Sequence, residues 1–189
     1  MIRLEGVTKS FASHEVLHPL DLCVEDGETL AVIGGSGSGK STLLRLIIGL
    51  IRPTSGRIWI DDAEISQMTE TELDRVRLRM GMVFQYSALF DSMTVGENVA
   101  FGLREHKRLK EAEIVRIVRE KLHLVGLDGS ERMMPGELSG GMKKRVSLAR
   151  AIAIDPSIIL YDEPSSGLDP LTSAKIDDLI IETQRKLGV

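Results

Sequence analysis

A chain of 189 residues with a formal charge of −4 is long enough to bury a real core, and it lacks the broad basic field of a nucleic-acid or anionic-lipid binder. Its single cysteine, Cys23, excludes a disulfide framework and fits a reducing compartment; within "LDLCVED" it reads as a small buried hydrophobe. The opening "MIRLEGVTKSF" mixes charges with apolar residues and is no secretory signal, and the most apolar run, "LLRLIIGLI", is short and broken by Arg45. Work at a membrane would pass through a partner.

In chain order, "MIRLEGV" alternates apolar and polar residues, as in an antiparallel strand with one wet face. "ETLAVIGG" is a continuous apolar run ended by glycines, the pattern of a parallel strand covered on both faces. "GRIWIDD" and "MGMVFQ" read as short strands. In "EAEIVRIVREKLHLVGL", Ile114, Ile117, Val118, Leu122 and Val125 recur at helix spacing against a charged face. The basic cluster "REHKRLK" before it reads as a solvated face or loop. A second helix is predicted from Ser139, as N-cap, to Ile154. "SIILYDE" is a buried strand, and "LDPLTSAKIDDLIIETQRKLGV" a helix capped by Asp169, with Pro170 at its first position and a stop at Gly188. Two sheet characters beside a helical insertion predict one compact α/β unit with an antiparallel piece.

The motif "GGSGSGKST", Gly34 to Thr42, fits G-x-x-x-x-G-K-[ST] and lies between an apolar run and the helix "TLLRLIIGL". Glycines let backbone N–H groups converge on phosphate oxygens, and the helix N-terminus adds partial positive charge. Lys40 can reach the β- and γ-phosphates, and the Ser41 hydroxyl can take one position on Mg²⁺. In "IILYDEP", an apolar strand delivers Asp162 and Glu163 at its C-terminal end, where ligands sit in open α/β sheets. Asp162 suits Mg²⁺, and Glu163 is placed to orient or deprotonate an attacking water.

Taken in order, "GGSGSGKST", Gln85 in "VFQYSALF", "LSGG", "IILYDEP" and "SGLDP" resemble the Walker A, Q-loop, signature, Walker B and D-loop motifs of ATP-binding cassette ATPases. The resemblance covers essentially the whole chain. It implies the α/β P-loop NTPase core of that family, a mostly parallel sheet, with an N-terminal antiparallel β piece and an inserted α-helical subdomain. The core would comprise about 1–84 and 156–189, and the subdomain about 85–155. It further implies ATP bound by Gly34, Gly35, Ser36, Gly37, Ser38, Gly39, Lys40, Ser41 and Thr42, with Mg²⁺ held by Ser41, Gln85 and Asp162. Glu163, Lys40 and Gln85 would be the catalytic set. Phe11 matches the aromatic that stacks on adenine, the alternative being a core aromatic after the first strand.

"LSGG" forms an anion-binding helix start without a lysine. The resemblance implies that Ser139, Gly140 and Gly141 bind the ATP held by a second copy, so that two subunits close head to tail, with Ser166 to Asp169 along the seam. In transporters of this family the motion passes to a membrane permease near Gln85 and "YSALFDSMTVGENVAF". Leu89, Phe90 and Met93 there would form either a partner patch or subdomain core.

Met142 in the signature, with "FQYSALFDSMTVGENVAFGLREH" and "PGELSGGMKKRVSLARAIAIDPSIILYDEPSSGLDP", closely resembles the Mla/Mkl-type ATPases. These serve phospholipid or other lipid transport beside a permease and a lipid-binding MCE-domain protein. The resemblance places such an ATPase in the cytoplasm, peripheral on the inner face of the bacterial inner membrane. An importer ATPase for another solute is the alternative. A nucleic-acid-linked cassette ATPase is the remote one, because only an ordinary helical segment separates Lys40 from Ser139 and no coiled coil intervenes. The family's pattern continues beyond Val189 with a strand carrying a switch histidine. His14, His18, His106 and His123 all precede Walker B and none fits that role. The expectation is therefore a chain that ends short of the family domain, leaves two buried sheet edges unpaired and hydrolyses ATP weakly alone.

Overall fold

The computed structural model describes residues 1–189, which fall into two compact units, Met1–Arg77 and Leu78–Val189. The first unit is built on an antiparallel sheet in the order β2-β1-β3-β4, with β1 Ile2–Phe11, β2 His14–Val24, β3 Ser55–Ile60 and β4 Ala63–Glu64. The alternation in "MIRLEGV" is realised: Ile2 and Leu4 are buried while Arg3 and Glu5 face out. Helix α1, Lys40–Ile47, packs against β2 and β3, burying Leu43, Leu46 and Ile47. Helix α2, Glu70–Arg77, adds Leu73 to the same core.

Two expectations fail in this unit. Cys23 is exposed, because β2 pairs with β1 in a register that sets it opposite Arg3 on the solvated face. The apolar run "ETLAVIGG" forms no strand, and Leu30, Val32 and Ile33 are 44%, 46% and 94% exposed. A strand exists only where a neighbour takes up its N–H and C=O groups, and no strand of this chain pairs with these residues.

The second unit contains a parallel pair, β5 Met80–Val83 and β6 Ile158–Tyr161, in the register Met80↔Ile158 to Val83↔Tyr161. Between them run α3 Val95–His106, α4 Glu111–Leu124 and α5 Gly140–Ala151; α6, Pro170–Leu187, follows. Gly81 is a close approach of sheet and helix: a Cβ there would lie 2.6 Å from the Ala151 carbonyl oxygen. The predicted helical residues Ile114, Val118, Leu122 and Val125 join one core with Val95, Val99, Leu103, Val146 and Leu148. The basic cluster spans the end of α3 and the exposed link to α4.

Helix starts follow local chemistry. Thr94 and Glu97 form a capping box on α3, Ser139 caps α5, and Asp169 caps α6 with Pro170 at its first position. Helix α6 stops at Gly188, which adopts the left-handed conformation (φ 66°). The backbone N–H and hydroxyl of Thr94 hold the Glu97 carboxyl below the usual carboxylate range. This cap therefore stabilises above the ordinary carboxylate pKa and is lost as pH falls through the lowered one.

Candidate nucleotide site

The site residues divide between the two units. In the first, residues 34–39 form an exposed loop that leads into α1, with Gly37 and Gly39 in the left-handed region (φ 81° and 93°). A Cβ on Gly34 would meet Ser38 Oγ at 2.5 Å, so a side chain there would force the Ser38 hydroxyl to turn away. Lys40, the first residue of α1, turns its ammonium back onto the loop and donates to the carbonyls of Gly34 (2.9 Å) and Gly35 (3.1 Å). Ser41 and Thr42 follow within the first turn of α1. Gly39 abuts Val16 of β2, just beyond the turn that follows Phe11, the last residue of β1. Phe11 is half-exposed, with the Lys9 ammonium 4.9 Å from its ring centre, and it is no core aromatic.

In the second unit, β5 and β6 end side by side and deliver Gln85 and the pair Asp162 and Glu163. Asp162 is buried, and its backbone N–H donates to the Val83 carbonyl (2.9 Å). Glu163 adopts a left-handed backbone (φ 46°), a strained conformation for a side-chain-bearing residue. The Gln85 amide donates to its carboxylate, Nε2 to Oε2, at 2.9 Å. Gln85 thus sits two residues past the strand rather than at its end.

The signature residues open α5. Ser139 Oγ accepts from the Met142 N–H (3.3 Å), and α5 and the start of α6 approach closely. A Cβ on Gly141 would stand 2.8 Å from Thr172 Cγ2 and one on Gly140 3.2 Å from Leu168 Cδ2. The glycines therefore serve packing as well as backbone exposure. Met142 packs partly buried against the core of its unit, which gives it a local role.

Two residues were not singled out from the sequence. Lys144 is buried on α5, donating to the Gln85 carbonyl and, at 3.4 Å, to the Glu163 carbonyl. Burial pushes its ammonium pKa down, while the nearby Glu163 and Asp162 carboxylates push it up. The signal for it was a lysine four residues before Leu148, on the buried stripe of α5. Asn98, wholly buried on α3, accepts from the Phe90 N–H (2.8 Å) and donates to the carbonyls of Phe90, Met93 and Thr94 (3.0–3.1 Å).

Asn98 thereby shapes the apolar loop after Gln85. Arg150 holds its other half through the carbonyls of Ser87 (2.9 Å) and Ala88 (2.6 Å), both left-handed residues. Leu89 packs into the core, whereas Phe90 stays 40% exposed with its ring 4.8 Å from that of Phe101. Asn98→Ala would strand the Phe90 N–H and lower stability by about 2 kcal/mol or more, read as a fall in the urea midpoint.

A lysine loop, acids that follow a strand and a capped glycine helix are, each in its own unit, the parts of an ATP-binding cassette. The ABC transporter family profile matches residues 17–166, and the chain belongs to that family. Within it, the chain is 48% identical over 186 residues to a Mycobacterium leprae protein named "Probable ribonucleotide transport ATP-binding protein mkl", covering 98% of this chain and 54% of that one. It is 45% identical to the intermembrane phospholipid transport system ATP-binding protein MlaF of Haemophilus influenzae, covering all of this chain and 72% of that one. These similarities make it an Mla/Mkl-type ATPase sequence. It is also 44% identical to the methionine import ATP-binding protein MetN 2 of Rhodococcus jostii, over 56% of that protein. The chain spans about half the length of the Mkl relatives it matches. Among solved structures, a dimeric post-hydrolysis ATP-binding cassette bound to ADP and Pi superposes with a TM-score of 0.90 at 34% identity, covering all of this chain and 84% of that one. No helix is long and apolar enough to cross a membrane.

Proposed function

We propose that this chain is the ATP-binding and ATP-hydrolysing part of an ABC transporter that drives phospholipid or other lipid transport through a separate permease. The observation that carries the catalytic reading is the Gln85–Glu163 hydrogen bond at the ends of a parallel strand pair. It joins an acid suited to activate water with a residue that can sense the nucleotide.

The residues fit ATP and Mg²⁺. Gly34 to Gly39, Lys40, Ser41 and Thr42 would cradle the phosphates, the left-handed Gly37 and Gly39 supplying the tight turns such a loop needs. By residue type, Ser41, Gln85 and Asp162 are the hard oxygen donors that would hold Mg²⁺. Mg²⁺, when bound, offsets the negative charge of the phosphates. Phe11 stacks on the adenine, and Glu163 orients the attacking water and accepts its proton. Ser139, Gly140 and Gly141 serve the nucleotide of a second copy; the dimeric cassette at 34% identity supports this arrangement. The core then comprises about 1–84 and 156–189, with residues 85–155 as the subdomain that meets the permease. Exposed Tyr86, Phe90 and Phe101 suit that contact. An MCE-domain lipid carrier completes the system, and the ATPase works at the inner face of the bacterial inner membrane.

Similarity to MlaF supports the lipid cargo, while the Mkl and MetN 2 names support a different solute. Reconstitution of the full-length ATPase with its permease in vesicles decides between them. ATP-dependent transfer of a fluorescent phospholipid is expected. Turnover stimulated by methionine or a ribonucleotide, with no phospholipid movement, would establish the second reading.

Residues 1–189 by themselves should turn over ATP slowly, because the run leading into the phosphate loop has no strand beside it. A steady-state assay of this segment checks the expectation, and a rate equal to that of the full-length protein would refute it.

A further inference from the structure

Lys144 has no part in the roles assigned so far, yet it is one of the few charged residues buried in this chain, at 6% exposure. A buried ammonium is unfavourable unless its donors find acceptors. Here the acceptors are two main-chain carbonyls, those of Gln85 and Glu163, from the segments that follow β5 and β6. The side chains of the same two residues are bonded to each other at 2.9 Å. Gln85 and Glu163 are thus fastened twice, backbone through Lys144 and side chain to side chain. Glu163 needs such fastening, since its left-handed backbone is disfavoured for any residue with a Cβ.

Lys144 also belongs to the helix that Ser139 caps, little more than one turn from the signature glycines. Within a single helix, a shift of the N-terminus moves the lysine with it.

We infer that Lys144 is a positioning residue for ATP hydrolysis, holding Gln85 and Glu163 to the signature helix so that seating of that helix on the partner's nucleotide sets the orientation of the general base. The inference rests on the roles proposed for Ser139 and Glu163. It assigns Lys144 no contact with substrate.

The test is steady-state kinetics of Lys144→Met and Lys144→Arg in the full-length protein, beside Glu163→Gln. Lys144→Met removes the donors at nearly constant volume. It should lower kcat about tenfold or more while leaving KM for ATP and nucleotide binding within about twofold, since the phosphate loop is untouched. Lys144→Arg restores donors and should recover most of the kcat. A purely structural lysine gives another pattern: kcat falls only in proportion to the folded fraction, measured by nucleotide-binding titration. That pattern, an unchanged kcat, or an arginine no better than methionine overturns the inference. Should Lys144→Met fail to fold, Lys144→Leu, which likewise has no donor, carries the test with the same split between kcat and KM. Loss of turnover in Glu163→Gln beside a normal Lys144→Met sinks this inference alone, whereas normal turnover in Glu163→Gln sinks the catalytic reading beneath it.

Discussion

Glu163→Gln in the full-length protein lowers ATP turnover by about a hundredfold or more and leaves ATP trapped in a stable dimer. The substitution preserves shape. The glutamine side-chain oxygen can still accept the Gln85 amide that now donates to Oε2, so the loops after β5 and β6 keep their arrangement. What disappears is the group able to take a proton from water. Binding and closure, in the roles proposed for the phosphate loop and the helix capped by Ser139, should persist, and the closed state should accumulate because its exit through hydrolysis is blocked. Size-exclusion chromatography with ATP, paired with phosphate release, reads both halves. Undiminished turnover would remove Glu163 from the role of general base.

Gly141→Asp abolishes ATP-dependent dimerisation and lowers turnover by about a hundredfold, while the phosphate loop still binds nucleotide. Two causes act at this position. A Cβ would press to 2.8 Å from Thr172 Cγ2, between α5 and the start of α6, at a cost of about 1–3 kcal/mol in stability. The carboxylate adds negative charge at a helix N-terminus whose proposed ligand is itself anionic. Gly141→Ala separates the two, since it brings the crowding without the charge. The alanine variant should lose stability yet keep measurable ATP-driven dimerisation, and equal loss in both variants would show that packing alone governs the site.

Much of the second unit was legible along the chain. Ser139, Asp169 with Pro170, and Gly188 bound α5 and α6 where their local chemistry requires, because a cap is satisfied within a few residues of itself. The stripe from Ile114 to Val125 found its core for a similar reason, since helix spacing alone sets its face. Phe90 and Leu89 were ambiguous: adjacent apolar residues in a loop carry no period, and only Asn98 and Arg150, reaching in from α3 and α5, turn one inward and leave the other exposed.

Cys23 and the run from Glu28 to Gly35 mark the opposite limit. Composition made both look buried, but a strand's faces are assigned by its register and its existence by a neighbour's hydrogen bonds. The candidate nucleotide site divides along the same line. Residue types and spacing alone established a lysine loop, two acids after a strand and a glycine helix start that lacks a lysine, because each motif is local. Tertiary structure alone decided that Gln85 meets Glu163, that Met142 packs on its own core, and that Lys144 joins the helix capped by Ser139 to the segments carrying Gln85 and Glu163. Those contacts link residues far apart in the chain, and folding brings them together.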